Sequence, residues 1–177
     1  MANLTGDSGS FEELAMPLFA RLYNFACWLT HDRAAAEDLV QETFMKALKG
    51  FSSFRQGTNF RAWIYRILRN AFLTSQAGLQ ASVSLDADDN EPLEPSTEQT
   101  PETVFLARLD SESIQAALHE LPVNFREIIL LCDFEEMSYQ EISLAIGIPI
   151  GTVMSRLSRA RKAMRILLAA SFQGASR

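Results

Sequence analysis

Two stretches of helically spaced apolar residues are separated by an acidic segment that cannot build a core. Between Gly78 and about Thr103 the chain is dominated by Ser, Asp, Glu and Pro. This composition buries too little apolar surface to offset the entropy lost on ordering, which is typical of a flexible linker. The flanking stretches repeat with the helical period and show no alternating strand pattern. We therefore predict an all-α protein of two small helical domains joined by an acidic flexible linker.

The domain boundaries follow from this interruption. A chain of 177 residues is long enough for two small helical cores. We predict a flexible N-terminal tail at 1–10, a first domain at 11–77, the linker at 78–108 and a second domain at 109–177. No apolar run reaches the length of a membrane span, and the N-terminus lacks a secretion-signal pattern. These features predict a cytoplasmic protein with no membrane insertion.

Charge is distributed unevenly along a chain whose formal net charge is −6. Residues 151–177 carry six Lys or Arg and no acidic residue, whereas residues 81–105 carry seven acidic residues and no basic one. Residues 1–80 are nearly balanced, with eight basic and seven acidic side chains. A segregated basic end indicates a nucleic-acid surface. The overall acidity predicts that the free chain binds DNA weakly and needs a partner.

Residues that could support catalysis or hold a metal are scattered along the sequence. Cys27 and Cys132 lie far apart in apolar stretches and are expected to be reduced core thiols, and His31 and His119 are equally isolated. We find no ligand cluster, nucleophile–base pair or phosphate-binding loop. The chain is therefore predicted not to be an enzyme, with no catalytic residue, metal, cofactor or small-molecule ligand.

The first domain contains three predicted helices, at about Phe11–Leu29, at about Ala34–Lys49 and from about Asn59 onward. The residues of the second helix that are predicted to face inward are Leu39, Val40, Phe44, Ala47 and Leu48. Those predicted to face outward are Glu37, Asp38, Gln41, Glu42 and Met45. In the third helix, the face opposite the apolar stripe carries Arg61, Tyr65, Arg66 and Arg69. Cations interleaved with an aromatic ring are typical of surfaces that contact phosphates and stack on bases.

The second domain contains a more specific pattern. After predicted helices at Ser111–Glu120 and about Asn124–Phe134, the run from Ser138 to Glu141 forms a capping box that begins a short helix. Gly147-Ile148-Pro149 ends that helix, and a longer one begins near Ile150. Two helices joined by a short glycine-containing turn form a helix-turn-helix.

The second helix of this motif is predicted to read DNA. The residues predicted to face the core are Ile150, Val153, Leu157, Ala160, Met164 and Leu167. Those predicted to face outward are Thr152, Ser155, Ser158, Arg159 and Lys162, and this outward face is flanked by Arg156, Arg161 and Arg165. Short polar residues allow close approach to bases, while Arg and Lys contact guanine or phosphate. Arg159 is predicted at the centre of the outward face and Arg161 toward the side.

Three segments in this order resemble extracytoplasmic-function sigma factors of the sigma-70 family. Residues 36–44 resemble the helix that docks on the clamp of core RNA polymerase, and residues 60–70 resemble the promoter-melting helix. Leu121 to Met164, which includes Ser-Tyr-Gln-Glu-Ile, resembles the promoter-reading C-terminal domain. The resemblance covers most of the chain outside the tail and the linker.

The resemblance implies a sigma factor that binds core RNA polymerase and directs promoter-specific initiation of a stress- or signal-responsive regulon. The implied polymerase-binding residues are Glu37, Asp38, Gln41, Glu42 and Met45. The implied minus-ten residues are Arg55, Asn59, Arg61, Trp63, Tyr65, Arg66, Arg69 and Asn70, and the loop Ser53–Asn59 would hold a flipped base. The implied minus-thirty-five residues are Thr152, Ser155, Arg156, Ser158, Arg159, Arg161 and Lys162.

The same resemblance implies partners and a place of action. The partners are core RNA polymerase and promoter DNA, and an anti-sigma factor is a further candidate. The chain would be nucleoid-associated in the holoenzyme, and its acidic linker would thread through a nucleic-acid channel of polymerase. One departure is the uncharged stretch from Phe72 to Gln80, where the family usually has a basic run.

Two other functional classes remain alternatives to this interpretation. A helix-turn-helix repressor or activator would bind as a dimer without docking on polymerase. It leaves the acidic helix face and the acidic linker unexplained. A protein-interaction module, such as an adaptor, would have no use for the acid-free basic helix.

Overall fold

The computed structural model describes residues 10–55, 57–79 and 111–174, in which all regular secondary structure is helical. Of the predicted tail at 1–10, residues 1–9 lie outside these ranges, and so do residues 80–108 of the predicted linker. The α-helices are α1 (Phe11–Ala15), α2 (Phe19–Thr30), α3 (Arg33–Gly50), α4 (Phe60–Leu79), α5 (Ser111–Glu120), α6 (Val123–Ile129), α7 (Tyr139–Ile146) and α8 (Ile150–Gly174). The predicted all-α class is confirmed.

The predicted first helix is interrupted, so its assignment as one continuous helix is wrong. A 3₁₀ turn at Met16–Leu18 separates α1 from α2. Pro17 lies inside that turn, where its missing N–H and its ring are incompatible with a continuous α-helix. A capping box between Ser10 and Glu13 fixes the start of α1, with the Glu13 carboxylate accepting from the Ser10 N–H at 2.9 Å.

Short polar side chains set the starts of α3 and α4. The Asp32 carboxylate accepts a hydrogen bond from the Ala35 N–H at 2.7 Å, and the Asn59 side-chain oxygen accepts from the Ala62 N–H at 2.9 Å. Both bonds satisfy backbone donors that a helix N-terminus leaves without a partner. His31, with φ of 56°, ends α2 in the left-handed conformation and turns the chain into α3.

The first helical unit packs α2, α3 and α4 around a shared apolar core. Its buried side chains include Leu22, Phe25, Leu39, Ile64 and Leu68. An aromatic cluster of Phe11, Phe44, Phe51, Phe54, Phe60 and Trp63 covers one end, with neighbouring ring centroids 4.9 to 6.3 Å apart. This cluster anchors the loop that leads into α4.

The second helical unit is formed by α5 to α8, and α6 continues into a π-helical turn at Leu130–Phe134. Leu118, Ile128, Ile142 and Leu157 are buried in its core. One predicted core position of α8 is wrong: Ile150 is 41% exposed, because it begins the helix beyond the core. At the other end, the predicted Leu167 is partly buried against the core, and Leu168 beside it is fully buried.

The helix-turn-helix is confirmed in detail. Ser138 and Glu141 form the predicted capping box, with the Glu141 carboxylate accepting from the Ser138 N–H at 2.8 Å and the Ser138 hydroxyl accepting from the Glu141 N–H at 3.2 Å. Gly147 ends α7 with φ of 72°, a conformation in which a side chain would be strained. The Ser143 hydroxyl then donates to the Ile148 carbonyl at 2.6 Å and closes the turn before α8.

The two helical units pack against each other, a contact that the sequence analysis did not predict. α4 of the first unit lies along α7 of the second, and α2 contacts α6. As a result, α4 is covered on one side by its own unit and on another by the helix-turn-helix.

Candidate nucleic-acid and protein-binding faces

The predicted polymerase-binding residues lie along one accessible face of α3. Glu37, Asp38, Gln41 and Met45 are exposed, and Glu42 is half-buried. Glu42 forms an ion pair with Lys46 one turn later, at 2.5 Å. Such an i,i+4 pair stabilises a helix by only a few tenths of a kcal/mol. The face therefore presents acidic and polar groups without depending on them for its fold.

An apolar groove of about 540 Å³ borders the acidic face of α3. Its lining includes Met16, Phe19, Tyr23 and Phe44, and the first two of these are 60% and 47% exposed. On α3 itself, Leu48 is 60% exposed, so its predicted inward position is wrong. The apolar stripe of α3 ends at the buried Ala47, and Leu48 lies beyond the edge that α2 and α4 cover. This apolar component was not predicted from the sequence.

The loop before α4 is fixed at both ends. The Thr58 hydroxyl donates to the Arg55 carbonyl at 2.6 Å, and the Phe54 ring packs on Trp63 with centroids 4.9 Å apart. Arg55 itself is exposed, and Asn59 is half-buried at the start of the helix. The predicted base-holding loop, Ser53–Asn59, is therefore anchored on the aromatic cluster, although its residue 56 lies outside the described ranges.

The predicted DNA-contacting residues of α4 differ in accessibility. Arg66 and Asn70 are exposed, whereas Arg61, Trp63 and Arg69 are half-buried. Tyr65 is 1% exposed and packs edge-on against Phe25 at 5.2 Å. Its predicted outward position is wrong, because the second unit covers the side of α4 that was expected to face solvent.

Arg69 forms a bidentate pair with Glu127 of α6. Its Nε and Nη2 atoms donate to the two carboxylate oxygens at 2.8 and 3.1 Å. The Glu127 side chain is only 1% exposed, and Arg156 of α8 approaches the same carboxylate at 3.9 Å. One buried glutamate therefore joins a predicted minus-ten residue to a predicted minus-thirty-five residue.

Two further glutamates of the second unit engage the N-terminal part of α4. Arg61 donates to the side chain of Glu135 at 3.2 Å and also to its backbone carbonyl. The Asn59 amide donates to Glu141 at 2.8 Å. Hydrogen bonds from this amide and from the Ser138 N–H lower the pKa of the Glu141 carboxyl. These carboxylates therefore hold polar groups that were predicted to face DNA.

From the sequence, Glu141 was predicted only as part of the capping box with Ser138, and no role was assigned to Glu127 or Glu135, although one signal was available. Glu127 follows Arg126 immediately and precedes the apolar run Ile128–Leu131. Charged residues at the head of a core segment are buried only with partners, since an unpaired buried charge is costly. Their partners come from α4, far away in sequence, and could not be identified from spacing.

Arg126 forms a further contact between the units. Its buried guanidinium donates to the carbonyls of Leu118, His119 and Leu121 at 2.7 to 3.0 Å, and it also reaches Leu29 at 3.5 Å. Burial lowers the pKa of this guanidinium. Arg126 therefore satisfies helix-terminal carbonyls of α5 while touching the end of α2.

The predicted DNA-reading residues of α8 lie on two sides of the helix. Ser158, Arg161 and Lys162 are exposed; Thr152, Ser155, Arg156 and Arg159 are half-buried. The predicted central, fully outward position of Arg159 is wrong, because its Nε and Nη2 atoms are shielded from solvent. Arg161 is held by both carboxylate oxygens of Asp133, at 2.5 and 3.3 Å. The exposed ridge also includes Met154, which was not predicted as a contact residue from the sequence.

Within the described residues, no group of three or more His, Cys, Asp or Glu side chains is arranged to hold a metal ion. No helix among these residues is both long enough and apolar enough to cross a membrane.

Each of the two helical units matches a known protein family. The family described as Sigma-70 region 2 matches residues 14–79, and the family described as Sigma-70, region 4 matches residues 111–164. The first match covers α2 to α4 and part of α1. The second covers α5 to α7 and the part of α8 that carries the predicted DNA contacts.

The chain is also similar to individual proteins along most of its length. The chain is 35% identical over 170 residues to the ECF RNA polymerase sigma factor SigE of Mycolicibacterium smegmatis, covering 93% of this chain and 65% of that protein. It is 36% identical over 146 residues to ECF RNA polymerase sigma factor EcfG of Rhodopseudomonas palustris, covering 81% and 77%. A solved structure of the sigma factor RpoE from Bartonella quintana, in complex with the anti-sigma factor NepR, superposes with a TM-score of 0.65. Its sequence identity is 30%, with 89% of this chain and 98% of that chain covered.

Proposed function

Because the chain belongs to the family of ECF RNA polymerase sigma factors, we propose that it binds core RNA polymerase and directs promoter-specific initiation of transcription. The observation that carries this proposal is the presence in one chain of an exposed acidic helix face, a basic helix after an anchored loop and a helix-turn-helix. Such a chain contacts polymerase through one surface and two separate promoter elements through the others. The regulon would respond to stress or to another signal.

Docking on polymerase is assigned to the outer face of α3. Glu37, Asp38, Gln41 and Met45 are exposed there, and the half-buried Glu42 lies between them. The apolar groove beside this face adds surface that can be desolvated, while the acidic groups favour a basic partner surface. A mixed face of this kind suits a protein partner better than DNA.

The minus-ten element is assigned to α4 and to the loop before it. The contacting residues would be Arg55, Asn59, Arg61, Trp63, Arg66, Arg69 and Asn70. Tyr65 does not fit this surface in the packed arrangement, because its ring is buried against the first core. The uncharged stretch after Asn70 continues α4, and Phe72 within it is 1% exposed. An apolar residue is required there for packing, and duplex contacts therefore depend on the arginines before it.

The minus-thirty-five element is assigned to the N-terminal half of α8. The contacting residues would be Thr152, Ser155, Arg156, Ser158, Arg159, Arg161 and Lys162. A recognition helix enters the major groove with its N-terminal residues against base edges. The exposure of Ser158 and Lys162 supports this role for them. Arg161 needs to exchange Asp133 for a phosphate.

Partners beyond polymerase and promoter DNA follow from the relatives. The structural relative is bound to an anti-sigma factor, and we extend this kind of partner to the present chain as a candidate. The acidic linker would occupy a channel of polymerase that is built for nucleic acid. The place of action would be the cytoplasm, with nucleoid association in the holoenzyme.

Transcription in vitro tests the proposal. The purified chain is mixed with core polymerase and genomic DNA fragments, and the transcript start sites are mapped. Discrete start sites that appear only with both proteins would support a sigma factor. Tight, sequence-specific binding by the isolated chain to a palindromic site, with no polymerase dependence, would instead establish the dimeric regulator.

A further inference from the structure

We propose that Met154 is a specificity-determining residue, whose side chain contacts the C5-methyl group of a thymine in the minus-thirty-five element. This inference deepens the proposed function and rests on it, because it takes α8 as the helix that enters the major groove. Met154 reads the sequence by apolar contact, whereas the neighbouring serines and arginines act through hydrogen bonds and charge. The preferred promoter therefore depends in part on a methyl group.

Met154 lies on the exposed face of the N-terminal half of α8. Met154, Ser158 and Arg161 are spaced i, i+4 and i+7, a spacing that places side chains on one side of a helix, and all three are exposed. The N-terminal part of a recognition helix is the part that meets base edges, while phosphates are contacted farther along. Met154 is therefore on the part of this face that is closest to the bases when α8 enters the groove.

The core of the second unit does not account for an apolar residue at position 154. Val153 and Leu157 supply the core contacts of this turn and are 0% and 2% exposed, whereas Met154 is 48% exposed. A single exposed apolar side chain is common on protein surfaces and by itself indicates no function. Met154 differs in its location, because it shares its face with the exposed Ser158 and Arg161 of the proposed DNA-contacting surface.

Gly151 leaves open space beside Met154. The two residues are three positions apart, so they are neighbours on the helix surface, and Gly151 is exposed. A Cβ added at Gly151 would meet no atom within 4 Å, so packing of the described residues does not require glycine there. Glycine weakens a helix relative to alanine, and one reason to keep it is close approach of a ligand to the backbone. This space allows a base pair to reach the Met154 side chain.

The chemistry of a thioether selects one group in the major groove. Methionine has no charge and no hydrogen-bond donor, and its sulfur is only a weak acceptor, so it cannot pair with the polar edges of the bases. The C5-methyl group of thymine is the apolar group that the major groove presents. An unbranched, polarizable side chain adjusts its rotamers to reach such a group. Met154 therefore favours thymine over the other three bases.

The test uses the holoenzyme and removes the methyl group from DNA. A promoter found by mapping start sites is randomised in its minus-thirty-five element, and the templates that the unchanged holoenzyme transcribes are sequenced. We expect thymine to be enriched at one or more positions of either strand. Each enriched thymine is then replaced by deoxyuridine, which lacks only the methyl group. At one of these positions the affinity of the holoenzyme should fall about fourfold, the effect of losing one buried methyl group.

Variants of the chain assign this effect to one side chain. Met154→Ala should bind the thymine and deoxyuridine templates equally, while Met154→Leu keeps an apolar side chain and should retain most of the difference. Ile166→Ala shortens another exposed apolar side chain of α8, which is 62% exposed, and should leave the difference unchanged. A methyl dependence that persists in Met154→Ala would overturn the inference, and so would its absence with the unchanged chain.

These outcomes are separable from failure of the proposed function. If the unchanged chain starts no transcription with core polymerase on any template, the sigma-factor proposal is refuted before position 154 is tested. Promoter-specific transcription without any methyl dependence would refute the role of Met154 alone. If Met154→Ala weakens binding to polymerase and leaves the methyl dependence intact, Met154 belongs to a protein contact and the inference is equally overturned.

Discussion

His31 and His119 stack face to face with ring centroids 3.8 Å apart, although they belong to different helical units. Partial burial, the positive charge of Arg126 and the neighbouring His119 together lower the pKa of His31 to about 4. A histidine released into solvent has a pKa of about 6.5. Packing of the two units therefore favours the neutral form of His31, and His31 takes up a proton when the units separate.

The first prediction follows from this difference. The contribution of neutral His31 to packing of the two units is fully present above pH 6.5 and is lost progressively as the pH falls toward 4. Between pH 7.5 and 5.5, the ratio of chains with packed units to chains with separated units should fall by a factor of about three to ten, after allowance for solvent screening. Small-angle scattering of the free chain measures this as an increase in its radius of gyration. The variant His31→Asn keeps a residue that tolerates the left-handed conformation and should remove most of the response.

The second prediction concerns the acidic face of α3. The double change Asp38→Arg/Glu42→Arg reverses two charges on a helix surface and should alter the free energy of unfolding by only about 0.5 kcal/mol. Binding to core polymerase should nevertheless collapse, because like charges then meet across the interface. Co-purification with polymerase is the measurement. The control Glu112→Arg/Glu120→Arg makes the same charge change on α5 and should bind normally; a docking variant that still co-purifies would refute the assignment.

The third prediction concerns the exposed apolar group beside that face. Leu48 is 60% exposed, so Leu48→Gln removes little buried surface and should leave the melting temperature nearly unchanged. If the docking surface extends to this position, affinity for polymerase should fall by about tenfold, the effect of one truncated interface residue. Ile166, which is 62% exposed on α8, provides the control Ile166→Gln. Equal polymerase affinities for the two variants would place Leu48 outside the interface.

The fourth prediction separates two arginines of α8. Arg159→Ala should cost about 1–3 kcal/mol and relax preference at one or two base pairs of the minus-thirty-five element. Arg161→Ala should weaken all promoters about equally and lower the salt dependence by about one phosphate contact. A panel of promoter variants, transcribed by each mutant holoenzyme at two salt concentrations, distinguishes the two behaviours. If Arg159→Ala lowers every promoter by one common factor, base reading belongs to the exposed Ser158 and Lys162.

The fifth prediction concerns the buried Arg126. Arg126→Met keeps the length of the side chain but leaves the carbonyls of Leu118, His119 and Leu121 without their donor. The free energy of unfolding should fall by about 2–4 kcal/mol, as expected for buried groups left unsatisfied. Urea denaturation followed by circular dichroism measures the change. Arg33→Met, at an exposed arginine of α3, should shift the same curve by no more than about 0.5 kcal/mol.

Local structure was predictable from the sequence where short-range chemistry decides it. The capping box from Ser138 to Glu141 and the Gly147 turn need only neighbouring residues, and both are found as predicted. The 3₁₀ turn at Met16–Leu18 is also local, and Pro17 is a sufficient signal for it that the apolar period does not contain. Boundaries therefore depend on backbone chemistry as much as on the apolar period.

Positions that depend on packing between the units were not predictable in this way. Tyr65 was placed on the outer face because the apolar stripe of α4 was assumed to be its only buried side. The pairing of Arg69 with Glu127 joins residues 58 positions apart, and no spacing rule connects them. Helical periodicity reports that a face is buried or exposed within one unit, and it carries no information about a second unit that covers it.

The sharing of Glu127 by two arginines also constrains inheritance. A change to a neutral residue at position 127 would deprive Arg69, in a poorly solvated site, of the carboxylate that accepts two of its hydrogen bonds, so it is tolerated only where position 69 changes as well. Descendants of this sequence should therefore retain Arg69 and Glu127 together or lose them together. One carboxylate thus couples the divergence of α4 to that of the second unit, even though the two are proposed to bind different stretches of DNA.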